Sequence, residues 1–164
     1  MAGMKIEYLH ASKYGNGVSV AEEFKRLMAA KGVVTVNVHH IREARPKELM
    51  PADLYVFSSP GRMGRPIGSM RRFLKNVQLP SATRYAILTT EGAPVPDKTT
   101  GRMPSEEELA KWQRVRPIMN ELLQTKGLQK VAEEKVLVTG MKGPLEEGWQ
   151  KKVETFAARV LKEG

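Results

Sequence analysis

Short runs of β-branched and aromatic residues alternate along this chain with stretches that turn one apolar face inward, and that alternation sets what it can fold into. Met4–Leu9 reads as a first strand, followed by a Gly-rich turn. Val20, Phe24, Leu27 and Met28 then recur at helical spacing, and Lys31-Gly32 supplies a basic last turn and a glycine stop. Val33–His40 alternates cleanly, as an edge strand with one wetter face does. Prolines 46 and 51 leave room between them for only a short helical turn. Asp53–Ser58 is apolar without alternation, which predicts a strand covered on both faces. Ile67–Val77 reads as a helix, Arg84–Thr90 as a fourth strand and Lys135–Thr139 as a fifth. Val153, Phe156, Ala157, Val160 and Leu161 mark the final helix.

A longer connection, Glu91–Pro104, separates the fourth strand from Ser105-Glu106-Glu107-Glu108, a capping box with an acidic first turn. Leu109, Trp112, Val115, Met119 and Leu122 follow on one face. Pro117 within that run predicts a kink or break near Gln113. Five strands, four good helices and one stunted helix in strict alternation imply an α/β domain over residues 1–164. Its sheet is parallel, with right-handed crossovers and helices on both faces.

In such a sheet, ligands bind beyond the carboxyl ends of the strands. The first of these loops, His10 to Gly17, leads directly into a helix. Ser12 offers a hydroxyl, Lys13 a charge, and Gly15 and Gly17 the freedom to turn tightly. The helix N-terminus adds positive potential. Together these suit a phosphate, although Gly-Asn-Gly is also a common tight βα turn. A Walker loop is excluded because no Gly-Lys-Ser/Thr follows. The dinucleotide fingerprint fails at Val20, and the second strand ends without an acidic residue to hold a ribose.

Two segments carry a resemblance. Ser12-Lys13-Tyr14-Gly15-Asn16-Gly17 before Val20-Ala21 resembles the phosphate loop of the flavodoxins. Asp53–Ser58 with Ser59-Pro60-Gly61-Arg62-Met63-Gly64 is similar to the third strand and following loop of flavodoxins and flavin reductases. Gly68-Ser69-Met70 and Phe73-Leu74 continue that likeness. The resemblance implies a flavodoxin-like three-layer sandwich, strand order 2-1-3-4-5, and non-covalent FMN. Ser12, Lys13, Tyr14, Gly15, Asn16 and Gly17 would then wrap the phosphate. Ser59, Pro60, Gly61, Arg62, Met63 and Gly64, with Thr89, Thr90, Glu91 and Gly92, would flank the isoalloxazine. Gly17 replaces the family's final threonine and Tyr14 its middle one, as in the subgroup resembling flavodoxin-type protoporphyrinogen oxidases. Neither flanking loop holds an aromatic residue, so Met63 or Arg62 would cover the ring.

The remaining composition narrows the function. The chain has no cysteine, which excludes disulfides, thiolate catalysis and cysteine-ligated metal clusters. No apolar run is long enough to span a bilayer, and Met1 to Leu9 reads as a strand rather than a leader, so a cytoplasmic location is expected. The formal net charge is +9. No Lys/Arg tract or interleaved aromatic stripe directs that charge to nucleic acid.

Arg62 and Arg65 fall in the ligand loop, whereas Arg71, Arg72 and Lys75 read as a solvated helix surface. A basic rim suits an acidic redox protein, NAD(P)H or a carboxylated substrate. His10 and His39 lie on neighbouring strands without a carboxylate at ligand spacing, so no metal is expected. Trp112 and Trp149 read as core, as do the methionines apart from Met63. Residues 94–104 read as a mobile connection, a flap or a dimer arm. The leading reading is an FMN-binding electron-transfer protein. Its alternatives are a quinone reductase or protoporphyrinogen oxidase type of enzyme and a flavin-free basic binding module.

Overall fold

A computed structural model describes residues 3–12, 15–140 and 142–163. The elements run β1 (Met4–His10), α1 (Asn16–Ala29), β2 (Val34–His40), β3 (Leu54–Ser58), β4 (Gly61–Arg62), β5 (Arg65–Pro66), α2 (Gly68–Asn76), β6 (Arg84–Gly92), α3 (Glu106–Trp112), α4 (Val115–Gln124), β7 (Gln129–Val138) and α5 (Trp149–Glu163). Five strands form one parallel sheet in the order β2-β1-β3-β6-β7. This is the 2-1-3-4-5 order that the resemblance implied.

The sheet is the middle of three layers. On one face, Phe24 of α1 lies between Tyr8 of β1 and Phe156 of α5, with both ring-centroid separations 5.5 Å. Ile6, Val56, Ala86 and Leu88 complete that core. On the other face, Met70, Phe73 and Leu74 of α2 and Met119 and Leu123 of α4 bury Leu9, Phe57, Tyr85 and Ile87. Alternate residues of β3 and β6 thus feed different cores, which is why Leu54–Phe57 and Tyr85–Leu88 are unbroken apolar runs. At the edges, β2 and β7 are only part-buried.

Several expectations are corrected. Between β2 and β3 the helical turn comes earlier than proline spacing suggested, as a 3-10 turn at Ile41–Glu43. The His40 ring accepts from Arg42 N–H at 3.1 Å, and Glu43 accepts from His40 N–H at 3.0 Å, so a reciprocal cap starts the turn there. After it, the chain makes one bonded turn, Glu48 N–H to Arg45 C=O at 3.0 Å. The last strand begins at Gln129 rather than Lys135, and the fourth runs on to Gly92.

The helix containing Pro117 is broken into α3 and α4, as expected. Proline lacks the N–H that Gln113 C=O would receive and crowds that carbonyl. α3 has no buried residue, and Trp112 is 62% exposed rather than core. Met28, Met70 and Met119 are core, but Met50 and Met103 are exposed, as is Met63. Trp149 packs, part-buried, against the α1/α5 core.

Candidate functional site

Strand β1 ends at His10, and from there the loop is shaped by short-range bonds. The buried His10 ring accepts Ser12 N–H at Nδ1, 3.2 Å, which requires a ring without a proton at that atom. Its neighbour is His40, edge-on at 5.1 Å, not His39. The parallel register pairs His10 with His40 and leaves His39 on the opposite face, 3.6 Å from Glu7. Burial holds the pKa of both His10 and His40 below the ordinary histidine value, and the His40 charge lowers His10 further. Among the described residues no group of three or more His, Asp or Glu is placed to hold a metal ion.

Lys13 and Tyr14 lie outside the described residues. Gly15 caps α1 at φ +87°, a conformation glycine adopts without strain. Gly17 N–H then donates to Ser12 Oγ at 3.1 Å. A Cβ built on Gly17 would stand 2.7 Å from the Ser12 Cβ. The loop therefore folds back against the start of α1 so closely that only glycine fits, and the threonine of the family pattern has no room here. Asn16 Nδ2 donates to the Lys142 C=O at 3.3 Å, tying this turn to the loop after β7.

The second loop is a miniature hairpin. Strands β4 and β5 meet at Met63 (φ +53°) and Gly64 (φ +75°), the two positive-φ positions of a tight hairpin turn. Ser59, nearly fully buried, anchors its base: Thr90 N–H donates to Ser59 C=O at 3.1 Å, and Ile67 N–H reaches Ser59 Oγ at 3.3 Å. The tip is held from α4, because Arg114 N–H donates to Gly64 C=O at 2.6 Å. That donor is available because the helix breaks ahead of Pro117. A Cβ on Gly64 would stand 2.1 Å from Trp112 C=O, so the contact admits only glycine.

These loops enclose a cleft of about 470 Å³. Ser12, Asn16 and Gly17 line one end, and Pro60, Gly61, Arg62, Met63 and Ile67 one side. Thr90, Gly92, Val138 and Gly140 line the rest. Ser59, Gly64, Thr89 and Glu91, expected to flank the ring, are not among the residues that line this cleft. Residues 85 and 87 of β6 face the α2/α4 core and residues 86 and 88 the other. Because β6 continues to Gly92, the alternation continues too, sending Thr89 and Glu91 toward α4 and leaving Thr90 on the cleft.

Glu91, itself buried, joins a partly exposed ionic cluster instead. Its Oε2 accepts from Arg116 Nε at 2.8 Å and from Thr89 Oγ1 at 2.5 Å. Arg116 also reaches Glu133 at 3.2 Å, and Glu133 takes Asn120 and Lys130 at 2.8 Å each. Burial opposes the Glu133 charge, but the bonds from Lys130 and Asn120 outweigh it and hold the carboxyl below its ordinary range. Sequence periodicity gave no sign of this cluster, since its members come from β6, α4 and β7.

The connection after β6 is ordered by Asp97, whose carboxylate accepts Thr99 and Thr100 N–H at 2.8 and 2.9 Å. The N–H of Thr100 and of Thr99 hold its pKa below the ordinary value. Arg62 and Arg65 are exposed at the hairpin. No helix among the described residues is long and apolar enough to cross a membrane.

No protein-family model matches this sequence, and no curated protein matches it. Solved structures do. Oxidised flavodoxin 1 from Bacillus cereus is 17% identical with a TM-score of 0.67, over 98% of this chain and 99% of that one. A flavodoxin from the domain Archaea is 15% identical with a TM-score of 0.68, over 97% of each chain. The rubredoxin oxygen:oxidoreductase of Desulfovibrio gigas is 13% identical with a TM-score of 0.68 over 96% of this chain, which spans only 35% of that protein's length. The fold of this chain is therefore flavodoxin-like, an α/β sandwich of the kind those proteins share.

Proposed function

We propose that the chain binds FMN without a covalent bond and passes electrons between it and an acidic or otherwise anionic partner. The observation that carries this reading is the cleft itself. A turn that admits only glycine opens α1 at one end, and a small hairpin forms the side where a ring would lie. A volume of about 470 Å³ falls within the range that cofactor-sized ligands occupy.

In this reading Ser12, Gly15, Asn16 and Gly17, with Lys13 and Tyr14 of the same loop, wrap the phosphate. The free N–H groups and positive potential of the α1 N-terminus hold its charge. Pro60, Gly61, Arg62 and Met63 flank one side of the ring, and Thr90 and Gly92 the other. Ser59, Gly64, Thr89 and Glu91 act through these residues, by fixing the hairpin and the end of β6. FMN, when bound, supplies the electron chemistry, and the chain tunes it. Exposed Arg62 and Arg65 stand where an approaching anionic partner meets the cleft rim. The neighbour from Bacillus cereus, described as an oxidised flavodoxin, supports a redox role. A cysteine-free, redox-active chain of this kind suits the cytoplasm.

Comparing FMN with riboflavin tests the phosphate turn. FMN should bind at least about tenfold more tightly, a difference of about 1.4 kcal/mol. Equal affinities would remove the phosphate turn from the reading. With FMN bound, reduction by NAD(P)H would mark the chain as an enzyme, and its absence would favour a carrier.

A further inference from the structure

Between β2 and β3 the chain covers the sheet with a 3-10 turn and one further bonded turn rather than with a full helix. Two contacts hold this cover in place. Glu43 accepts His40 N–H at 3.0 Å at its start, and Tyr55 Oη donates to Met50 C=O at 2.5 Å at its end. Under it lies a cleft of about 210 Å³, lined by Glu7 and Leu9 of β1, His39 of β2, and Glu43, Arg45, Glu48, Leu49 and Met50 of the cover. It shares no lining residue with the cleft proposed for FMN.

Glu7 is the unusual group there. Its side chain is 4% exposed, and a carboxylate taken so far out of water is costly unless a cation answers it. Among the described residues no Lys or Arg pairs with it. Oε2 is enclosed and has no hydrogen-bond partner, and His39 Nε2 stands 3.6 Å from Oε1, beyond hydrogen-bond reach. Glu43 and Glu48 add two more carboxylates, and Arg45, 84% exposed, meets Glu48 only at 3.6 Å. Three carboxylates thus share one cleft with a single Arg, in a chain whose net charge is +9. Among the described residues no three acidic or His groups converge as a metal ion requires. A cation suited to this cleft therefore spreads its charge over several atoms and carries several donors.

We infer that this cleft binds the guanidinium group of a small alkylguanidine. The planar group donates to Glu7 at Oε1, the oxygen that is not enclosed, as the 39%-exposed His39 ring turns aside. Its remaining N–H groups point to the carboxylates at the rim, of which Glu48 is 69% exposed. A guanidinium is more weakly hydrated than an ammonium, and its rigid fork of donors matches carboxylate geometry. The alkyl chain lies along Leu49 and Met50, whose side chain is otherwise left 62% exposed. About 210 Å³ admits a ligand of this size and not a nucleotide. The site does not depend on FMN.

The test titrates the full chain with n-butylguanidinium, and in parallel with n-butylurea, which has nearly the same shape without the charge, and n-butylammonium, which has the charge at one point. Amide shifts followed by NMR should give n-butylguanidinium an affinity at least about tenfold above either of the others. The shifted amides should be confined to residues 7–9, 39 and 43–50. Glu7→Gln keeps the shape of the side chain and removes a buried charge, so it should leave circular dichroism native and abolish the preference for the charged compound. Leu49→Trp should fill the cleft and block all three. Equal affinities, shifts scattered over the surface, unchanged binding by Glu7→Gln, or no shift with n-butylguanidinium at about 10 mM would overturn the inference. If FMN does not bind, the flavin reading falls, and this titration still decides the guanidinium site.

Discussion

A methyl group on Gly17 is the smallest change that reaches the proposed phosphate turn, because it would press on Ser12 from 2.7 Å. Gly17→Ala is expected to push Ser12 aside and break the Gly17 N–H to Ser12 Oγ bond, worth about 1 kcal/mol. FMN affinity should fall at least about tenfold while circular dichroism stays native. Unchanged affinity would mean the turn does not hold the phosphate. His10 gives the same loop a dependence on pH. Burial and the His40 charge depress its folded pKa below the ordinary value of about 6.5, with Arg42 lowering it and Glu43 opposing.

The unfolded chain therefore takes up protons first as pH falls, so stability is whole above about 6.5 and is lost as pH drops through that value toward the lowered one. Protonation at Nδ1 also removes the acceptor for Ser12 N–H. Thermal unfolding should show wild type losing more stability than His10→Gln between about pH 7.5 and 5.5, and equal losses would contradict this.

Some elements follow the sequence periodicity and others break it. Strands β3 and β6 were legible because burial on both faces forces unbroken apolar runs, and α1 because its stripe recurs at helical spacing. The start of β7 was not legible. Glu133 and Glu134 sit inside it, and Glu133 is tolerated only through partners on α4 and β7 itself. The hairpin of β4 and β5 has two residues per strand, too few for any period. Of the candidate site, the first two loops could be read from their glycines and their place after strands. Thr89 and Glu91 lie toward α4 because β6 runs on to Gly92 and its alternation with it, two residues beyond the strand that the sequence predicts.

Two outcomes follow for these elements. α3, with no buried residue, should exchange its amide hydrogens well ahead of α4, and Ser105→Ala should speed that exchange by removing a cap worth about 1 kcal/mol. Arg116→Met should cost roughly 3 kcal/mol of unfolding free energy by leaving buried Glu91 without its cation. A loss below about 0.5 kcal/mol in chemical denaturation would show the cluster to be solvated after all.

Over the whole molecule, the net charge is +9. Two of its cations, Arg62 and Arg65, are exposed on the hairpin that borders the cleft. Steering by such charges weakens as salt shortens the Debye length from about 10 Å to 3 Å. Once loaded with FMN and reduced, the chain should give electrons to ferricyanide, an anion, more slowly at about 1 M than at 0.1 M salt. Arg62→Glu with Arg65→Glu should remove most of that dependence.

The proposed function rests on one event, the binding of FMN to the cleft between Ser12 and Gly92. Titrating the purified full chain with FMN, followed by visible absorbance and flavin fluorescence, tests it most directly. A saturable spectral change with one FMN per chain is expected at micromolar concentration, about 8 kcal/mol of binding free energy. No spectral change with about 50 µM protein, equivalent to less than about 6 kcal/mol, would contradict it.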